Sequence, residues 1–207
     1  MNSDFKGLIA VISGAGSGIG LAVAKKLKAQ GAEVFGLDLS AGELENSGAG
    51  IWIQCDIASD ESVNQAFKNI TSKVSKIDIL INNAGIGAQG GVEATTTEEW
   101  SKVLNINVIG TSRVSSAALP LMRKSSDGAI VNTCSVVATV GIPNRAIYSA
   151  SKGAILSLTL AMAADLLPER IRVNCVNPGT ADTPWVGRLL SQSADPAKER
   201  ASLEARQ

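Results

Sequence analysis

Apolar residues along this chain come in short unbroken runs, and stretches with helical spacing lie between them. The runs cover residues 8–13, 33–38, 51–55, 77–81, 129–134 and 171–176. Each is too short for a buried helix, and the first and last stop at Gly14 and Pro178-Gly179, so strands are expected. Between them, residues 18–30 repeat Ile19, Ala22, Val23 and Leu27 at helical intervals and close at Gly31, a C-terminal glycine. Residues 59–74 are amphipathic, with Ser59 as the N-cap and Ser62, Gln65, Lys68 and Asn69 on the wet side. Residues 96–122 read as one helix bent near Gly110, with Pro120 close to its end. Residues 147–167 read as a long helix stopped by Pro168. Continuous apolar strands alternating with helices mean an α/β fold: a doubly wound parallel sheet of six strands with helices on both faces. No repeat, low-complexity stretch or linker divides the chain, so residues 1–207 are expected to form a single domain.

Composition narrows the chemistry. With 207 residues, 45% hydrophobic and 18% charged, the chain can bury a sizeable core. Lys+Arg and Asp+Glu balance at 19 each, which gives nucleic-acid binding by bulk charge no support. There is no histidine, which removes histidine general bases and histidine metal ligands. Cys55, Cys134 and Cys175 sit in apolar runs without metal spacing, as small buried residues do in a reducing compartment. The N-terminus lacks a signal-peptide pattern and no apolar run reaches ~18 residues. A soluble cytoplasmic protein with no membrane, nucleic-acid or metal partner is therefore expected.

Two stretches carry the candidate chemistry. Ser13-Gly14-Ala15-Gly16-Ser17-Gly18-Ile19-Gly20 joins the first strand to the first helix. Glycines there let the backbone turn tightly and approach a pyrophosphate at the positive helix N-terminus. Asp38 ends the second strand, 20 residues after Gly18. An acid there accepts from adenosine ribose hydroxyls and repels a 2′-phosphate, and with Ser17 uncharged and no basic residue just after Asp38 the pattern favours NAD over NADP. A solvated strand-end acid is the alternative for Asp38. The second stretch runs from Ser135 to Lys152. Tyr148 and Lys152 are four apart, one turn on one helix face, where the ammonium would favour the phenolate and lower the tyrosine pKa. Ser135 follows an apolar strand, at the end where open sheets bind ligands.

In these motifs the chain resembles the short-chain dehydrogenase/reductases over essentially its whole length. The glycine pattern stands at Ser13, Gly14, Gly18 and Gly20; an adenine-site acid at Asp56, followed by Ile57; and Asn-Asn-Ala-Gly at 82–85. A helical asparagine stands at Asn107, and a Pro-Gly turn and later threonine at Pro178, Gly179 and Thr183. The resemblance implies a Rossmann-type fold and hydride transfer between NAD and a secondary alcohol or ketone. It implies Asn107, Ser135, Tyr148 and Lys152 as the catalytic set. Tyr148 would act as general acid–base, Lys152 would hold the nicotinamide ribose, Ser135 would bond the substrate oxygen, and Asn107 would tie a water to Lys152. The cofactor would lie on Gly14, Ser17, Gly18, Ile19, Gly20, Asp38, Asp56 and Ile57, and on Asn83, Ala84, Gly85, Tyr148, Lys152, Pro178, Gly179 and Thr183. Homo-oligomers, dimeric or tetrameric, are implied as well.

Local wording is closest to the branch with cytosolic type 2 3-hydroxybutyrate dehydrogenases and sugar or sugar-acid dehydrogenases. That likeness places Arg145, Arg188 and Arg206, with Ser135 and Tyr148, around a small carboxylate-bearing substrate, and makes residues 182–207 a lid. An NADPH-dependent 3-oxoacyl thioester reductase and a non-catalytic NAD-binding regulator are the alternatives. Relatives of this kind usually continue through another helix and a seventh strand. The chain stops at Gln207 inside the lid, so the expectation is either a fragment of a longer protein or a domain that lacks those two elements.

Overall fold

The computed structural model describes residues 4–191 and 195–205. Six strands form one parallel sheet: β1 (Ile9–Ser13), β2 (Glu33–Asp38), β3 (Ile51–Gln54), β4 (Ile79–Asn82), β5 (Gly128–Thr133) and β6 (Ile171–Val176). Their order is β3-β2-β1-β4-β5-β6. The winding reverses between β1 and β4, so the loops leaving the carboxyl ends of those neighbours part there and open a crevice.

The apolar runs have a direct cause. Val11, Phe35, Leu37, Leu80 and Ile130 belong to one core cluster, while Ala10, Ile12, Val34, Ile79 and Ile81 belong to another. Successive strand residues point to opposite faces, and both faces need apolar side chains. The first face is covered by α2 (Asp60–Thr71), α4 (Gly110–Met122) and α5 (Ala146–Leu166), the second by α1 (Gly18–Ala29). At β6 the cover expected on both sides is incomplete among the described residues. Ile171 and Val173 are buried there, while Arg172, Asn174 and Val176 on the other face are exposed. Residues Ala146–Glu169, which include α5, are the one described stretch long and apolar enough to cross a membrane; Ile147, Ile155 and Leu166 of α5 are buried within the fold.

The structure corrects two expected elements. The single helix over 96–122 is three pieces: α3 (Thr97–Leu104), a π-turn at Asn105–Ile109, and α4. The helical run is continuous, and the π-turn ends directly before Gly110. The strand expected from Ile77 begins at Ile79; Asp78 before it bonds Ile9 and Ala129 through its backbone and is buried through its side chain. That buried carboxylate accepts from Ile9 N (2.9 Å), Lys76 Nζ (2.8 Å) and Ser125 Oγ (2.6 Å). Burial alone would raise its pKa, but these donors outweigh that and hold it below the usual aspartate value. Beyond β6 the chain forms α6 (Pro184–Ser191) and α7 (Pro196–Glu204), which share a small cluster of Val186, Leu190 and Leu203.

Candidate active site

A cavity of about 530 Å³ fills the crevice at the carboxyl ends of the strands. At one end its wall is Gly14, Ser17, Gly18 and Ile19, with Asp38, Asp56 and Ile57 beside them. Asn83, Ala84 and Gly85 form the middle. Ser135, Arg145, Tyr148 and Lys152 line the far end, facing Pro178, Gly179 and Thr183. Residues from the whole length of the chain thus meet around one elongated space, and only Gly20 and Asn107 of the described candidates lie behind its wall.

The glycine loop is stitched from below. Ser13 Oγ accepts from the amides of Asn83 (3.0 Å) and Ala84 (3.1 Å), and Asn83 Nδ2 donates to Ser13 O (3.2 Å) and Gly14 O (3.1 Å). Gly14 has φ 69°, and a Cβ there would lie 2.8 Å from Ala84 Cα. A Cβ on Gly20 would lie 2.1 Å from Gly14 O. Only glycine lets the loop close on the 83–85 strip in this way. Asp38 accepts from Gly16 N at 2.9 Å, so the acid both shapes the loop and faces the cavity. The bare loop at a helix N-terminus, the acid at a strand end and the elongated cavity fit a dinucleotide.

At the far end, α5 carries Tyr148 and Lys152 on one face, with Lys152 Nζ 5.7 Å from the centre of the tyrosine ring. The expected lowering of the Tyr148 pKa by Lys152 is not what this geometry produces. Burial pushes the phenol above its ordinary value, while a Ser135 hydrogen bond and the Arg145 charge pull against that. Lys152 Nζ donates instead to Thr133 O at 2.8 Å, and burial lowers its own pKa to about 8. Desolvation outweighs attraction because Lys152 is 6% exposed and its ammonium faces a neutral carbonyl, not a carboxylate.

Asn107 lies just behind the cavity wall and ties it to α5. Its Oδ1 accepts from Ile86 N (2.8 Å), and its Nδ2 donates to Ile86 O (2.9 Å) and Ser151 Oγ (3.1 Å). Both Nδ2 hydrogens and one acceptor site of Oδ1 are thus taken up by protein groups. Ser151 Oγ donates on to Tyr148 O (2.8 Å), so the π-turn is joined to the turn of α5 that carries the tyrosine.

Of the three arginines, Arg145 alone is placed at the cavity. Its Nη1 donates to Ala88 O at 3.3 Å, and a short bridge pairs its backbone with Gly90. Arg188 falls on α6, with its side chain undescribed, and Arg206 lies outside the described residues. Sequence reasoning missed Ser151, Thr133 as the carbonyl that holds Lys152, and the apolar lining from Ile86, Ile142 and Leu203. Ile142 and Leu203 carry no local signal, since the first sits on the loop before α5 and the second on α7, and only the tertiary fold brings them to the cavity.

The short chain dehydrogenase family model matches residues 8–194. The chain is similar to 2-(R)-hydroxypropyl-CoM dehydrogenase of Xanthobacter autotrophicus, 39% identical over 196 residues, 89% of this chain and 78% of that protein. It is similar to cis-4-hydroxycyclohexanecarboxylate dehydrogenase of Sinomonas cyclohexanicum, 34% identical over 100% of this chain and 84% of the relative. Its fold is similar to that of 3-ketoacyl-(acyl-carrier-protein) reductase from Brucella melitensis complexed with NADH, with a TM-score of 0.82 and 35% identity over 87% of this chain and 78% of that one.

Proposed function

The chain belongs to the short-chain dehydrogenase family, oxidoreductases acting on alcohol and carbonyl groups, and from that premise we propose that it moves a hydride between NAD and a small hydroxy acid or sugar acid. The observation that carries this is the meeting of Ser135, Tyr148 and Lys152 on a cavity whose other end is the glycine loop with Asp38. When bound, the nicotinamide supplies the hydride acceptor or donor. Tyr148 Oη takes the alcohol proton during oxidation and returns it during reduction. Ser135 Oγ hydrogen-bonds the substrate oxygen and steadies the charge that develops there. Lys152 holds the cofactor ribose, and Asn107 ties the Ile86 backbone and Ser151 to the π-turn. Asp38 accepts from the adenosine ribose and repels a 2′-phosphate, which supports NAD over NADP.

A carboxylate on the substrate is supported by Arg145, a forked donor at the Tyr148 end of an otherwise largely apolar wall. The Sinomonas relative, a hydroxycyclohexanecarboxylate dehydrogenase by name, carries the same combination of groups in its substrate. Residues 1–207 are read as one domain with 182–207 as its lid. The exposed Leu160 and Leu167 on α5 and in the turn after it support a homo-oligomer.

The test is NADH formation with a panel of hydroxy acids, sugar acids, free sugars and neutral secondary alcohols, each with NAD⁺ and NADP⁺. Turnover confined to acids and NAD⁺ is expected. Arg145→Ala should then lose about 10²-fold in kcat/KM on acids while keeping the slow reaction of neutral analogues. Faster turnover of NADPH with 3-oxoacyl thioesters would overturn both cofactor and substrate. Tight NAD binding without turnover of any alcohol would point to a regulator.

A further inference from the structure

Arg113, on the first turn of α4, is named in none of the roles above, yet its guanidinium reaches two walls of the site. Its Nη1 donates to Ile57 O (3.3 Å), to Asn105 Oδ1 (2.9 Å) and, at longer range, to Asn105 O (3.5 Å). Its Nε donates to Asp60 Oδ1 (2.6 Å). The arginine side chain is 17% exposed and its acid 78%, so the acid orients the fork from the solvent side while the fork itself is inside. Ile57 lines the cavity beside Asp38 and Asp56. Asn105 opens the π-turn that carries Ile106, also on the cavity wall, and Asn107. The two segments abut directly. A Cβ on Gly110 would lie 2.8 Å from Ile57 Cδ1 and 3.1 Å from Ile57 O. Asn105 Nδ2 also donates across the seam to Ala58 O (3.4 Å).

We propose that Arg113 is a positioning residue that braces Ile57, on the adenosine side of the cavity, to the π-turn that holds Asn107, so that adenosine binding and catalytic geometry depend on one side chain that touches neither. The proposal rests on the NAD reading above. The brace needs two donor directions, toward Asp60 and toward the Ile57 and Asn105 oxygens. A lysine supplies charge but not that planar fork.

The experiment is calorimetric binding of AMP, the adenosine half of the cofactor, alongside steady-state kinetics with NAD⁺. Arg113→Met and Arg113→Lys should each weaken AMP about tenfold and raise KM for NAD⁺ to match. Asn105→Ala, which removes the Oδ1 arm at the π-turn together with the Ala58 contact but leaves Arg113 on Ile57 O, should lower kcat and weaken AMP less than Arg113→Met does. Asp60→Asn keeps a hydrogen-bonding partner for Nε and should leave AMP affinity and kcat unchanged. Wild-type AMP affinity in folded Arg113→Lys would reduce Arg113 to a fold-stabilising contact and overturn the brace. So would a fall in melting temperature with KM and kcat both unmoved in Arg113→Met. Wild-type protein that binds neither AMP nor NAD⁺ would remove the cofactor reading itself, and the brace with it.

Discussion

Asp78 and Lys152 are the buried charged residues of this fold among those described, 2% and 6% exposed, and they sit at opposite ends of the sheet. They have been treated in opposite ways. Asp78, at the amino end beside β1, receives three donors, and its charged form is favoured over water. Lys152, at the carboxyl end, donates to a neutral carbonyl, and its charged form is disfavoured by burial. The first arrangement ties strands together and has no chemistry left to do. The second keeps a base near the edge of losing its proton, inside the cavity where a proton must move. A buried charge with satisfied valences reads as structure, and one held short of satisfaction reads as function.

The sharpest way to break that contrast is to remove each charge. Lys152→Met should lower kcat by about 10³-fold, yet raise the melting temperature by about 4 °C. The sign follows from the lowered folded-state pKa. Below about 8 the lysine is charged in both states and its burial penalty is fully present. As pH rises from there to the unfolded value the folded amine is already neutral and the penalty fades. The thermal gain should therefore shrink above pH ~8; a variant less stable than wild type at neutral pH would show that the Thr133 contact outweighs desolvation. Asp78→Asn should do the reverse: about 3 kcal/mol less stable at neutral pH in denaturant melts, with activity per folded molecule unchanged. Its folded pKa is depressed, so its contribution is complete above the unfolded aspartate pKa and disappears as pH falls through the lower folded value. Wild type and Asp78→Asn should converge in acid.

A smaller effect sharpens the catalytic side. Tyr148 is the single tyrosine of the chain, so tyrosinate absorbance reports it alone. The midpoint should lie above the ordinary value of about 10, because burial raises it. Arg145→Ala should move it further up, since the guanidinium charge pulls it down. A midpoint below 10 in the free protein would restore the lysine as the tuning cation.

The fold was legible because parallel strands buried on both faces must be apolar at every position, and the runs at 33–38 and 171–176 match β2 and β6 without a shift. The glycine loop, Asp38 and the Ser135–Lys152 stretch were legible because backbone approach and proton transfer demand particular residue types at particular spacings. Electrostatic sign was not legible. Spacing put Lys152 beside Tyr148, but whether attraction or desolvation wins depends on burial, which the sequence does not show. The partners of Asn107 escaped for a similar reason. Its hydrogen bonds go to Ile86 and Ser151, far away in sequence, and the π-turn that makes this reach has no pattern of its own. The brace at Arg113 escaped because its acceptors include the backbone oxygens of Ile57 and Asn105, and every residue type has those.

The weakest change tests whether pairing alone, without burial, explains the Asp78 side of the contrast. Arg123 closes α4 and forks onto Glu169, with Nε to Oε2 at 2.5 Å and Nη2 to Oε1 at 3.0 Å. The geometry is as good as that around Asp78, and the pairing holds the Glu169 carboxyl below its usual range. Yet Arg123 is half exposed, and water solvates both ions once they part. Arg123→Gln should therefore leave the melting temperature where it was, and the little it does change should vanish in high salt. A loss as large as that of Asp78→Asn would mean that hydrogen-bond geometry, not removal from water, sets the worth of a carboxylate in this protein, and the Asp78–Lys152 contrast would then be one of partner count alone.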